Sequence, residues 1–361
     1  MNNVLIVGTG TIGEPLIGLL TSVKDQVGIG NVYFYKRTPL KDEVAKVNDM
    51  CRRGAKLVVK DDDIAEKFQA LGHQVSMNFV GALEIADVVI DCTPAGNENK
   101  ELFYSKISDY KDMKAGARPP VFIAQGSEKG FGMPYAYRIN DDAMLAQAPR
   151  FIQVVSCNTH NISSLLKVMS DDFSGIVDAD FVCIRRANDI SQVGGFVASP
   201  QVGSHKSTQY GSHHAMDAVD LIGTLGKKLK LYSSAMKLNT QYMHTIRFQI
   251  KLKGEYSYDD ILKKLSDNRM VCLSEKTDAN RIFSFGRDHG YYGRIYNQTV
   301  ISIPTLSVRN TSSGTTITGF CFTPQDGNSL LSSTAAILYG LYGNDFLERM
   351  STFDDMLFDY I

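Results

Sequence analysis

The sequence has no excess of either charge: 38 Lys and Arg stand against 39 Asp and Glu, a formal net charge of −1. That balance argues against a large basic surface for nucleic acid, although it is compatible with a local patch. No apolar run approaches the roughly 18 residues that suggest a membrane helix. Met1-Asn2-Asn3 carries no positive charge, and the apolar stretch behind it runs into glycines at once, unlike a secretory signal. Cysteine is sparse, with six residues at positions 51, 92, 157, 183, 272 and 321. None forms a CxxC pair, and the spacing fits neither a zinc site nor a disulfide framework. Scattered cysteines in a long chain read as reduced thiols in the cytoplasm. Internal repeats and low-complexity linkers are absent too. What is there is ordinary: 43% hydrophobic and 21% charged residues exclude disorder and collagen-like structure. At roughly 150 residues per domain, 361 residues suggest two domains.

Asn3-Val4-Leu5-Ile6-Val7 reads as a buried parallel strand. It leads into Gly8-Thr9-Gly10-Thr11-Ile12-Gly13 and then into a helical pattern. Strand, GxGxxG and helix in that order form the dinucleotide-binding context. The first Gly allows the tight turn, the second lets the backbone approach a pyrophosphate, and the third lets helix and strand pack closely. The helix start offers N–H groups to phosphates. The next strand, Asn31–Tyr35, ends in Lys36-Arg37-Thr38. An NAD-binding chain places Asp or Glu near that point for the ribose hydroxyls. Two cations and a hydroxyl would attract a 2′-phosphate instead, which favours NADP and leaves NAD possible; a solvated basic turn is the bland alternative. Ala86–Asp91 and Pro120–Ala124 repeat the strand pattern. Their loops place Thr93, Gly126 and Ser127 at the carboxyl edge, where cofactors sit in open α/β sheets.

Arg150–Val155 reads as the last strand of this region, followed by Ser156-Cys157-Asn158-Thr159-His160 and a helical pattern. Cys157 therefore falls at a strand-to-helix junction, where the positive end of the helix dipole favours thiolate. From position alone, core filler and nucleophile are equally good readings. Further on, Arg185-Arg186 ends a strand, so the two side chains point to opposite faces. Arg binds phosphate in a bidentate way, although a surface pair would look the same. Adjacent His213-His214 make awkward chelators without an acidic flank, so no metal site is expected. His244 opens an alternating run to Leu252 and shares the inward parity of Ile246, Phe248 and Ile250. A satisfied core histidine and a catalytic one both fit that parity. His73 and His289 read as surface residues, and Asp354, Asp355 and Asp359 as a solvated acidic end.

Several blocks occur in a telling order: the GxGxxG, Asp91-Cys92-Thr93-Pro94, Gln125-Gly126-Ser127-Glu128-Lys129, Val154-Val155-Ser156-Cys157-Asn158-Thr159, Arg185-Arg186, Ser212-His213-His214 and Met243-His244. In these the chain resembles archaeal-type (class II) glyceraldehyde-3-phosphate dehydrogenase over nearly its whole length. The resemblance implies that Cys157 is the nucleophile, forming a hemithioacetal and then a thioester that phosphate cleaves, and that His244 is the general base. It places Ser156, Asn158, Thr159, Arg185, His213, His214 and Gln325 at the substrate or phosphate, and Arg186 on the cofactor side. The substrates implied are glyceraldehyde 3-phosphate and inorganic phosphate, in a cytoplasmic homotetramer. Two departures stand out: His160 replaces a second Thr, and Ala215-Met216 replace Gly-Pro, with a longer polar stretch between Gln201 and Gly211. A semialdehyde or acyl-phosphate reductase, or a non-catalytic cofactor-binding relative, would share much of this pattern.

The expected fold is α/β. A doubly wound Rossmann domain spans 1–155, with a C-terminal helix in 327–361 packing back on it, and an α+β catalytic domain with a mixed or antiparallel sheet spans 156–326.

Overall fold

Short apolar runs flanked by glycine or polar turns become strands buried on both faces in the N-terminal region. The computed structural model describes residues 2–107, 120–126, 128–189, 192, 194–324 and 327–361. The chain divides into two units. The first comprises Met1–Tyr135, Met144–Val154 and Ser332–Thr352; the second comprises Ala136–Ala143, Val155–Leu331 and Phe353–Ile361.

The first unit carries an eight-stranded sheet of β1 (Asn3–Val7), β2 (Asn31–Tyr35), β3 (Lys56–Val59), β4 (Val75–Asn78), β5 (Val88–Asp91), β6 (Val121–Gln125), β7 (Met133–Tyr135) and β8 (Phe151–Val154). Their order is β4-β3-β2-β1-β5-β6-β8-β7, and every pairing is parallel. The order reverses between β1 and β5, the switch point that opens a crevice at the carboxyl ends of these strands. Helix α1 (Gly13–Val27) leaves β1 and buries Leu16, Ile17, Leu19 and Leu20. Helices α2 (Val44–Arg52), α3 (Asp62–Ala70) and α4 (Phe79–Ile85) follow the next strands. Asp61 and Asn78 cap the last two by accepting from Ile64 N at 3.0 Å and Gly81 N at 2.9 Å. The C-terminal helix Leu330–Tyr342 lies, from Ser332 on, against the same sheet. A Cβ on its Gly340 would stand 2.6 Å from Val88 Cγ2, and Tyr342 Oη donates to Gly28 O at 2.6 Å.

The second unit holds a mixed sheet of β9 (Ile176–Arg185), β10 (Gln201–Val202), β11 (Leu231–Lys237), β12 (His244–Leu252), β13 (Val271–Ser274), β14 (Thr299–Ser302), β15 (Ser307–Thr311) and β16 (Gly314–Thr323). The order is β10-β11-β9-β12-β16-β14-β13, with β15 beside β16. Pairs β9–β11 and β13–β14 are parallel, while β9–β12, β12–β16 and β14–β16 are antiparallel. One face is covered by α5 (Cys157–Met169), α6 (His213–Gly223) and α7 (Tyr258–Ser266). There Ile162, Leu165 and Leu166 share a core with Phe181, Ile246, Phe248, Leu221 and Ile261. The α/β fold class expected from the sequence is the one that forms.

Two readings are corrected. His73 is not a surface residue: it is buried, with Nδ1 bonded to Asn48 Oδ1 at 3.0 Å and its ring 5.8 Å from that of Phe68. Nor is the acidic end a solvated tail. Asp354 pairs with Arg138 at 2.6 Å, Ile361 N donates to Leu273 O at 2.9 Å, and Asn297 Nδ2 donates to Phe358 O at 2.8 Å. The apolar residues between the carboxylates pull the segment onto the second unit, where Phe358 and Ile361 pack beside Cys272 and Phe322.

The carboxyl edge of β5 is built on a buried carboxylate. Asp91 accepts from Thr93 N at 2.9 Å, Thr93 Oγ1 at 2.6 Å, Asn99 Nδ2 at 2.7 Å and Tyr104 Oη at 2.7 Å. A buried charge needs such a set of donors to offset its lost hydration. Tyr104→Phe is expected to cost about 1.5–3 kcal/mol, the range for a bond to a charged group. Urea unfolding checks this, and a change below about 0.5 kcal/mol, the level of a neutral surface substitution, would contradict it.

Candidate active site

In the first unit the glycine turn meets three separate demands. Gly8 has φ of 98°, and a Cβ there would stand 2.8 Å from Thr93 Cγ2. Gly13 packs the helix on the strand so closely that a Cβ would lie 2.1 Å from Gly8 O. Gly10 differs: a Cβ there would meet nothing within 4 Å. The chain's own packing therefore gives no reason for that glycine, while close approach of a ligand does. Thr11 and Ile12 complete the turn, half-buried, and no side chain caps the start of α1. Thr93 is fastened to Asp91 at the edge of β5. Gly126, at φ of 79°, donates through N to Val154 O at 2.9 Å. Ser127 lies outside the described residues.

The three residues expected at a 2′-phosphate are placed differently from one another. Lys36 is buried and pairs with Glu43, which also receives Lys46 Nζ at 2.8 Å. Its charge is already neutralised, by a residue seven positions further along the chain. Arg37 and Thr38 are exposed, and no hydrogen bond or ion pair among the described residues holds either side chain.

In the second unit Ser156 caps α5 in extended conformation, its Oγ bonded to Thr159 Oγ1 at 2.9 Å. Cys157 is the first residue of that helix and is half-buried. Asn158 and Thr159 turn inward and are buried. Asn158 Oδ1 accepts from Thr323 Oγ1 at 3.2 Å, and Thr323 Oγ1 accepts in turn from Asn161 Nδ2 at 2.9 Å. Thr323 is the register partner of His244 across β16 and β12. The helix turn carrying Cys157 is thus docked beside His244 through one hydroxyl. Asn328 adds a second hold, donating from Nδ2 to Cys157 O at 2.9 Å. Neither Thr323 nor Asn328 stands out in the sequence, because neither belongs to a periodic or recurrent local pattern.

Around this turn lie the cations. Arg185 is exposed, with no hydrogen bond or ion pair to its side chain among the described residues. Arg186 is buried: its guanidinium donates to Tyr242 O at 3.0 Å and Asp189 Oδ1 at 3.0 Å. It is tied within the second unit, not presented to a cofactor. His213 opens α6 with its ring 4.0 Å from that of buried His214, whose Nδ1 bonds Ser212 Oγ at 3.0 Å. Burial, then His213 and Arg185, push His214 down to about 3. His160 is wholly buried, with Nδ1 on Ser156 O at 3.0 Å, so it sits beneath the Cys157 turn and does not face a phosphate. Burial pushes it down to about 4. His244 is buried, and its Nδ1 accepts the Arg186 backbone N–H at 3.1 Å. Burial first, then the charges of Arg186, Arg185 and His214, hold it well below the usual histidine range. Gln325 lies outside the described residues. Among the described residues no group of His, Cys, Asp and Glu could hold a metal, and no helix is long and apolar enough to cross a membrane.

The fold and the site are those of an NAD(P)-dependent oxidoreductase. The chain is similar to glyceraldehyde-3-phosphate dehydrogenases of archaea: 26% identical to that of Thermoplasma volcanium over 281 residues, 77% of this chain and 75% of the relative. It is 28% identical to that of Picrophilus torridus over 277 residues, 76% and 74% of the two chains. With that of Pyrococcus furiosus it shares 25% over 301 residues, 81% of each. No protein-family model matches the chain.

The buried histidines set an acid limit. In the unfolded chain they titrate near 6.5, whereas natively His160 and His214 take a proton only near 4 and 3. Between those values the unfolded state binds more protons, so acid favours unfolding. The urea midpoint is expected to fall from pH 7 toward pH 4 and to fall less steeply in His160→Asn. A midpoint that rises on acidification would contradict the neutral, buried state of these rings.

Proposed function

We propose that this protein is a phosphorylating glyceraldehyde-3-phosphate dehydrogenase that oxidises the aldehyde through a thioester on Cys157. The observation that carries the reading is the docking of the Cys157 turn, through Asn158 and Thr323, beside His244 in a chain that also builds a dinucleotide turn. The archaeal relatives bear the name of that activity over most of their length. Gly8, Gly10, Thr11, Ile12 and Gly13 would hold the pyrophosphate, with Thr93 and Gly126 at the same sheet edge. Bound there, a nicotinamide dinucleotide supplies the hydride acceptor.

The other steps fall to the second unit. Cys157 attacks the carbonyl carbon, and covalent attachment divides one difficult oxidation into two easier steps. His244 serves the carbonyl oxygen. Arg185 and His213 contact phosphate, being the cation and the imidazole that stand at the edge of this cluster. Ser156, Asn158 and Thr159 act through the cap and the Thr323 seam, fixing where the sulfur sits. Gln325 is retained as a substrate contact on the resemblance alone, as are Ser127 for the cofactor, the homotetramer and the cytoplasmic location.

Purified protein is expected to reduce NAD(P)+ with glyceraldehyde 3-phosphate only when inorganic phosphate or arsenate is present. Cys157→Ser is expected to abolish turnover while cofactor still binds. Equal rates without phosphate, or full activity in the variant, would overturn the proposal. For the cofactor, NADP is preferred on the strength of Arg37 and Thr38, since Lys36 is paired with Glu43. Arg37→Ala is expected to weaken NADP binding about tenfold and NAD binding little, on the scale of one exposed charge–phosphate contact. Titration of both cofactors by fluorescence checks this, and equal losses would reject the 2′-phosphate role.

A further inference from the structure

The imidazole of His244 is constrained at one nitrogen. The backbone N–H of Arg186 donates to Nδ1 at 3.1 Å. A backbone amide only donates, so the ring nitrogen facing it must present a lone pair. The amide has little freedom to turn away. It leaves β9 one residue after Arg185, with Thr245 of β12 registered against Ile184. The Arg186 side chain ties the same segment to Tyr242 O and to Asp189. Tyr242, two residues before His244, sits at φ of 77°, a left-handed conformation rare outside glycine, which the surrounding bonds must maintain. Both sides of the histidine are therefore anchored to Arg186. A second constraint is charge. Arg185, Arg186 and His214 all bear on a ring that is already buried, and all of them disfavour the imidazolium. A neutral imidazole has one N–H, and with Nδ1 accepting, that proton lies on Nε2.

We infer that His244 meets the reacting carbonyl as an Nε2–H hydrogen-bond donor, in a tautomer set by the Arg186 backbone amide, and is not the general base that the resemblance implies. The inference rests on the proposed role of Cys157 toward an aldehyde. Base action at Nε2 would need the proton on Nδ1, where it would point at the Arg186 N–H, donor against donor. As a donor, His244 suits the addition step. The Cys157 thiolate, its proton already lost to solvent, forms the C–S bond with its own electron pair. The π pair of C=O moves to oxygen, which becomes an oxyanion, and no proton moves. His244 Nε2–H donates to that oxyanion where the charge develops. The oxygen is never protonated, so no side chain has to remove a proton from it later. Arg186 is a positioning residue in this scheme, acting through the ring it orients.

Two measurements on the full chain test this. In the ¹⁵N-histidine-labelled protein, the His244 signals, assigned by their loss in His244→Gln, are expected to show a pyridine-type Nδ1 and a protonated, pyrrole-type Nε2 near neutral pH. A protonated Nδ1, or an imidazolium, would overturn the inference whatever reaction the protein performs. In the coupled assay, the Gln carboxamide can donate from near the Nε2 position but cannot act as a base. His244→Gln is expected to keep turnover within about tenfold of the parent, while His244→Ala falls about 10²–10³-fold, the usual loss for one oxyanion donor. Equal, large losses in both variants would restore the base. A parent protein inactive with phosphorylated aldehydes would overturn the dehydrogenase proposal and the donor's catalytic role with it, while the NMR still decides the tautomer.

Discussion

A single hydroxyl, that of Thr323, holds the turn that carries Cys157 against the sheet. It donates to Asn158 Oδ1 and accepts from Asn161 Nδ2, one residue on each flank of the first turn of α5. Because Thr323 is also the register partner of His244, the same bond places the thiol-bearing turn beside the imidazole. The interaction is buried, so leaving any of its partners unpaired would carry a full desolvation cost. The Ser156 cap and Asn328 hold the turn from its other sides. A thiol at a helix start is a common feature; a thiol at a helix start registered to a buried histidine is the arrangement that gives the reading of the site its force.

The first unit rests on a comparable economy. Asp91 gathers four donors at the carboxyl edge of β5 and so shapes the crevice that the strand order opens. Across that crevice the three glycines of the turn differ in kind. Two are needed by the fold itself, through a left-handed φ at Gly8 and a backbone approach at Gly13. The third, Gly10, is unconstrained by its own chain, and that open space argues for a ligand more directly than the motif does.

The strand, glycine turn and helix at the N-terminus were legible because each follows from local stereochemistry and apolar spacing. So was the inward parity of His244, since a strand alternates faces without exception over nine residues. What remained hidden depends on where distant side chains arrive. Lys36 reads as a phosphate ligand until Glu43 is seen to neutralise it. Asn158 and Thr159 sit beside the nucleophile in sequence, but the helical turn rotates them into the core. Arg185 and Arg186 were separable by strand alternation, yet alternation alone did not say that the buried one would fasten the histidine loop. Thr323 and Asn328 gave no signal, being single polar residues whose importance comes from tertiary position.

The central claim is that Cys157 carries the acyl group. Its most direct test is mass spectrometry of the protein mixed with glyceraldehyde 3-phosphate and oxidised cofactor in the absence of inorganic phosphate, with peptide mapping of the product. The expected result is one acyl adduct per chain, on Cys157, released when phosphate or arsenate is added. An adduct on another cysteine, or turnover with no covalent species on any residue, would contradict it.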